Sequence, residues 1–210
     1  MKAFKEVMSW IIPIVLGLII AFAIREFWFT IVRVDGTSME PNLVNNERVL
    51  VLRTDKVHRG SVVVFDAKGS DPEVTESKDY VKRVIALPGD TVSANNGVIK
   101  VNGKTVDQSF IPSSEQKATN AVNNVGNWDS LAELGQHMSW VKNNQSVKVP
   151  KGYYFVLGDH RSVSNDSRYW GFVPKNKLVG VVKVGFWTDK DKKVAINQEY
   201  KHFFKTTTTK

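Results

Sequence analysis

The chain changes pattern once, near its start. A short head with Lys2 and Lys5 leads into Val7 to Ile24, 18 positions without a charge. At about 1.5 Å per residue such a run reaches roughly 27 Å, close to the hydrocarbon thickness of a bilayer. Trp10 and Trp28 lie near its two ends, where indole rings favour the interface. Pro13 and Gly17 are tolerable in a helix surrounded by lipid. The lysines before the run and the Arg25-Glu26 pair after it place the N-terminus inside and the rest of the chain outside. Ala21-Phe22-Ala23 also fits the small-x-small end of a cleaved leader. However, the run passes through that triplet without a polar segment and continues into Phe27-Trp28-Phe29. The expectation is a retained anchor over residues 7–26, with 1–6 as a cytoplasmic head.

After the anchor, the apolar positions come in short β-branched and aromatic runs broken by turn residues, the mark of strands. Expected strands are Phe27–Val34, Glu47–Arg53, Ser61–Phe65, Tyr80–Leu87, Tyr153–Leu157 and Leu178–Trp187. His58-Arg59-Gly60 and Pro88-Gly89-Asp90 act as turns, and Asp66 to Lys78 as a polar loop. Val98 to Val106 reads as a hairpin, because Asn102-Gly103 suits the positive φ angles of a type I′ turn. Pro112 to Val149 is rich in Asn, Ser and Gln, with a short helix expected near Asp129 to Met138. It reads as an insertion in one antiparallel β domain over 27–204, followed by a disordered tail over 205–210.

Composition narrows the function classes. With no cysteine among the 210 residues, a disulfide framework and a thiol nucleophile are both excluded. The four histidines, His58, His137, His160 and His202, lack metal-ligand spacing, so no metal is expected. A net charge of +8 and a pI near 9.6 behind an apolar anchor point to anionic lipid headgroups or plain solubility rather than nucleic acid.

Three stretches carry candidate chemistry. Ser38 lies in Gly36-Thr37-Ser38-Met39-Glu40-Pro41, a tight segment that can expose a hydroxyl and aim a backbone N–H at an oxyanion. On its own a Gly-x-Ser is an ordinary loop, and a serine needs a base to attack. Lys82 sits in Tyr80-Val81-Lys82-Arg83-Val84, where alternation puts Tyr80, Lys82 and Val84 on one face. A lysine in an apolar wall loses its proton more easily and can serve as that base; a lysine snorkelling from an edge strand reads the same way. The loop Gly158 to Arg168 packs two acids, two arginines and three serines into eleven positions, suiting either a supporting network or a charged turn. His160 within it is an alternative base.

These pieces, in this order behind an anchor, resemble type I signal peptidases of the Gram-positive, single-span form. The match rests on Ser38-Met39-Glu40-Pro41-Asn42-Leu43, Arg59-Gly60-Ser61-Val62-Val63-Val64-Phe65, Lys82-Arg83-Val84-Ile85-Ala86-Leu87-Pro88-Gly89-Asp90, and Gly158-Asp159 through Asp166-Ser167-Arg168. The resemblance implies a mainly β fold, related to that of repressor-type self-cleaving proteases, with one transmembrane helix and an inserted cap region. It implies Ser38 as nucleophile, Lys82 as general base and Ser164 as the serine that orients the lysine amine. Asp166, Arg168 and Arg83 would buttress the site, with Asp159 and Arg161 in the same motif. The Ser38 N–H would be one oxyanion donor. Some family members supply a second from a hydroxyl at the position held here by Gly36. Asn42, Ala86, His160 and Val163 also depart from the usual pattern.

The implied activity is cofactor-free cleavage of signal peptides from secretory preproteins after a small-x-small site, at the membrane and near the secretion translocon. The substrate would lie extended between the segment ending at Asp35 and Gly36 and the strand around Tyr80 and Val81. Val32, Val34, Met39, Leu43, Tyr80 and Val81 are the candidate pocket walls. A self-cleaving Ser–Lys regulator would want a helix-turn-helix instead of a span. An inactive anchored binding module is the other rival.

Overall fold

The computed structural model describes residues 2–118, 131, 134–135, 139 and 147–206. Helix α1, Lys2–Phe27, contains the whole apolar run, and none of its membrane-length stretch Glu6–Phe27 is buried within the protein. A core helix of a soluble domain would bury such a surface. The helix passes into the β domain through one residue, Trp28, whose N–H still bonds Ile24 O while its carbonyl accepts from Arg53 N–H. For that reason strand β1 starts at Phe29 rather than Phe27.

Among the described residues the strands make two sheets. The larger contains β1 (Phe29–Arg33), β2 (Arg48–Leu52), β3 (Val62–Asp66), β4 (Asp79–Ala86), β9 (Tyr153–Leu157), β10 (Val173–Pro174) and β11 (Leu178–Lys183), in the order β1-β2-β11-β3-β4-β9-β10. Every pairing in it is antiparallel. The smaller contains β5 (Thr91–Asn95), β6 (Val98–Val101), β7 (Lys104–Thr105) and β8 (Val147–Lys148), in the order β7-β6-β5-β8. The 98–106 hairpin turns at Asn102 and Gly103, with φ of 51° and 77° as a type I′ turn demands.

Packing explains these elements. The run Val62-Val63-Val64-Phe65 is buried on both faces, because separate apolar clusters cover the two sides of the large sheet. A third cluster, with Val92, Ile99, Val101, Val147, Phe155 and Leu157, joins the two sheets into one core. Leu131 and Leu134 pack into it as well; the helix expected over 129–138 otherwise falls outside the described residues, as does the 205–210 tail beyond Thr206, while Lys205 at its start is tied down by its N–H on Thr105 O.

Some elements differ from expectation. Strand β5 was not anticipated. The last strand stops at Lys183 instead of running to Trp187, because the Asn197 amide takes both backbone groups of Val184. Helix Lys190–Asn197 follows, started by the Asp189 carboxylate, which accepts from the N–H groups of Asp191 and Lys192.

Candidate active site

The Ser38 segment hangs from the end of β1. Val34 N–H bonds Glu47 O, and the chain then turns at Gly36, whose φ is +89°. A side chain there would meet open space but a strained backbone, so the position is ill-suited to a hydroxyl-bearing residue. Met39 and Leu43, both buried, root the segment in the core cluster of the large sheet.

Lys82 reaches this segment from the middle of β4. Its side chain is almost wholly buried, and Nζ lies 2.8 Å from Ser38 Oγ. The Tyr80 ring, two residues back on the same face, has its centroid 5.1 Å from the amine. Burial lowers the Lys82 pKa to about 8, although the Asp166 charge pulls the other way. At that value an appreciable fraction of the amine is neutral near pH 7, and a neutral amine accepts the hydroxyl proton instead of donating one.

The loop after β9 supports the pair from behind. Asp166 accepts from Gly158 N–H and is held bidentately by Arg168, all fully buried. Burial alone would raise the Asp166 carboxyl, but the Arg168 charge and hydrogen bonds hold it below the usual range. Arg168 also donates to the carbonyls of Arg161 and Ala118. On the opposite face of β4 from Lys82, Arg83 makes a buried fork with Asp159 at 2.8 and 2.6 Å and donates to Gly60 O and Ala195 O. Arg161 ties the loop to itself through Gly158 O and to Gln108. Asn42 donates to Asp159 Oδ2, linking the Ser38 segment to this network.

Several expected residues sit differently. The Ser164 hydroxyl is fully buried and makes no hydrogen bond to the Lys82 amine among the described residues; it lies beside Asp166 and helps keep that carboxyl ionised. The His160 ring faces Thr37 O at 3.1 Å, while its backbone N–H donates to Ser38 O. His160 therefore braces the Ser38 backbone, and Lys82 is the group that reaches the Ser38 hydroxyl. Gly158 passes so close to Ser164 Oγ and Ser38 O that no side chain fits there.

A cleft of about 330 Å³ opens on the pair, lined by Asp35, Gly36, Thr37 and Ser38, by Lys78 to Lys82, and by Val163 and Asn165. Of the proposed walls, Tyr80 and Val81 line it. Val34, Met39 and Leu43 lie in the core instead, with Val32 packed against them. Strand β9 pairs with Arg83 to Ala86, leaving Asp79 to Lys82 unpaired along that edge. Asp71 and Asn165, which join Tyr80 in one hydrogen-bonded group, were not singled out from the sequence.

Comparison with known proteins places these features in a family. The family profile described as "Signal peptidase, peptidase S26" matches residues 7–187. Signal peptidase IB of Staphylococcus aureus (strain COL) is 35% identical over 218 residues, covering 98% of this chain and 98% of that protein. Signal peptidase I S of Bacillus subtilis (strain 168) is 36% identical over 188 residues, covering 87% of this chain and 90% of the relative. A crystal structure of a signal peptidase I from Enterococcus faecalis V583 shares 30% identity at a TM-score of 0.44, over 60% of this chain and 97% of that one.

Proposed function

The chain belongs to the signal peptidase family, peptidase S26, and is a serine hydrolase of signal peptides; within that activity we propose that Ser38 and Lys82 form the catalytic dyad. The observation that carries the proposal is the buried Lys82 amine 2.8 Å from Ser38 Oγ, at the floor of a cleft. Lys82 takes the hydroxyl proton as Ser38 attacks the scissile carbonyl, and the Ser38 N–H stabilises the oxyanion. Collapse breaks the peptide C–N bond, Lys82 passes the proton to the leaving amine, and an acyl ester on Ser38 results. Water, deprotonated by Lys82, then hydrolyses the ester.

The unpaired edge of Asp79 to Lys82 offers backbone groups to an extended preprotein segment, with Asp35 and Gly36 across the cleft. Strand pairing aims alternate substrate residues at the same wall. That geometry supports selection of small side chains at two alternate positions before the cut. No cofactor enters the scheme.

Helix α1 fits a single-pass anchor with the N-terminus in the cytoplasm and the β domain over 27–204 outside, elaborated by the 112–149 insertion. Its one-residue junction to β1 would hold the cleft near the lipid surface, where preproteins leave the translocon. Purified full-length protein in detergent should cut a preprotein once, after a small-x-small site, as mapped by mass spectrometry of both products. Ser38→Ala should abolish the cut; continued cutting by that variant would reject Ser38 as nucleophile.

A further inference from the structure

The loop between β3 and β4 holds a buried carboxylate that the dyad mechanism does not use. Asp71 is only 2% exposed, within a loop pinned at its base by Ala67 N–H to Lys78 O. Its Oδ1 accepts from Glu73 N–H. Its Oδ2 accepts from Tyr80 Oη at 3.0 Å and from Asn165 Nδ2 at 2.8 Å. Both of those residues line the cleft, Tyr80 from β4 and Asn165 from the loop between Ser164 and Asp166. One carboxylate oxygen thus joins two walls of the cleft, with charge-assisted bonds that are stronger than neutral ones.

We infer that Asp71 is a positioning residue: it tethers the Tyr80 ring against the Lys82 amine and fixes Asn165 beside it. The inference rests on the dyad reading given above. An aromatic ring held by its hydroxyl keeps water from the amine, and a ring free to turn lets water in. Hydration favours the ammonium form, so a loosened ring makes Lys82 a poorer base at a given pH. The charged groups acting on the amine are Asp166, Arg168, Asp159 and Asp71 itself. Those acting on Tyr80 are Asp71 and Glu73, with Lys78 Nζ 5.9 Å from its ring. Burial and the Asp71 bond raise the Tyr80 hydroxyl to about 12, so it stays a donor throughout the working range.

The two ends of the tether can be cut separately. Tyr80→Phe removes the hydroxyl and keeps the ring and the Asp71 charge. Asp71→Ala removes the anchor and the charge. The assay is kcat/KM against pH for preprotein cleavage by the full chain in detergent, with folding followed by circular dichroism. Tyr80→Phe should move the acid limb upward by about half to one pH unit, a roughly three- to tenfold loss on that limb. Asp71→Ala should move it the same way, by less, because the lost negative charge acts oppositely. The double variant should add little to the single ones, since both cut one link. An unmoved limb in folded Tyr80→Phe overturns the inference, whether or not Asp71→Ala folds. A downward shift confined to Asp71→Ala also overturns it, since Asp71 would then act through charge alone. A wild type that cuts, and loses cutting in Ser38→Ala, keeps the dyad reading intact in either case; a wild type that does not cut rejects both.

Discussion

Burial of the Lys82 amine has a kinetic signature whose size follows from the structure. With its pKa lowered to about 8 by burial, roughly one amine in eleven is neutral at pH 7. An ordinary lysine near 10.4 would be neutral in about one molecule in 2,500. The gain in competent base is therefore roughly two hundredfold, and it costs the fold about 3 kcal/mol of disfavoured ammonium. The plot of kcat/KM for preprotein cleavage against pH should rise with unit slope and level off above an apparent pKa near 8. Linkage supplies a second check. The folded pKa lies below the unfolded one, so the unfolded chain binds more protons between pH 8 and 10.5, and stability rises with pH across that window. Lys82→Met should accordingly be more stable than wild type at pH 7, with the difference shrinking as pH climbs from 8 to 10.5. A limb near 6.5 that vanishes in His160→Ala would refute the argument and point to histidine. So would a limb near 10, which would mean the amine is hydrated.

Other predictions follow from the surrounding network. Asp159→Ala strands the fully buried Arg83 guanidinium and should lower stability by about 3–5 kcal/mol in chemical denaturation, where a loss under about 1 kcal/mol would contradict the buried pair. Burial raises the Glu199 pKa to about 7, above its unfolded value of 4.5, so its contribution is full below pH 4.5 and is lost as pH rises through 7. Glu199→Gln should remove that slope and stabilise the protein at pH 8 by about 3 kcal/mol; an unchanged slope in thermal melts would rule this out. Gly158→Ala pushes a methyl group against Ser38 O and Ser164 and should cut kcat by roughly a hundredfold with little change in KM, whereas wild-type turnover would place Gly158 away from the nucleophile.

How far the sequence alone reaches depends on the scale of the signal. An uncharged run of membrane length is legible without any partner, and so are valine-rich strands such as Val62 to Phe65, since burial on both faces leaves an unbroken apolar pattern. Strand β5, Thr-Val-Ser-Ala-Asn, has three small polar positions and was hidden by them. Helix Lys190–Asn197 was not anticipated either, because the preceding Val-Gly-Phe-Trp read as a continuing strand. What stopped that strand was the Asn197 side chain, a contact no local pattern reveals.

The site divides in the same way. Ser38 and Lys82 are 44 residues apart, and each has an unremarkable reading by itself. Order along the chain, matched to a family, is what brought them together before any coordinates did. Asp71 had no such help. It is one acid among Asp66, Asp71, Glu73 and Glu76 in a polar loop, and its partner Asn165 lies 94 positions away. Met39 and Leu43 were assigned to the cleft because they neighbour Ser38, yet the turn at Gly36 sends their side chains into the core.

The most direct test of the central claim is the rate of preprotein cleavage by Lys82→Ala, in full-length protein shown to be folded and measured across pH 6 to 10. The dyad predicts a loss of at least about a thousandfold at every pH, as expected when a general base and its nucleophile act as one unit. Cleavage within about tenfold of wild type would show that another group takes the Ser38 proton, and the dyad would have to be abandoned.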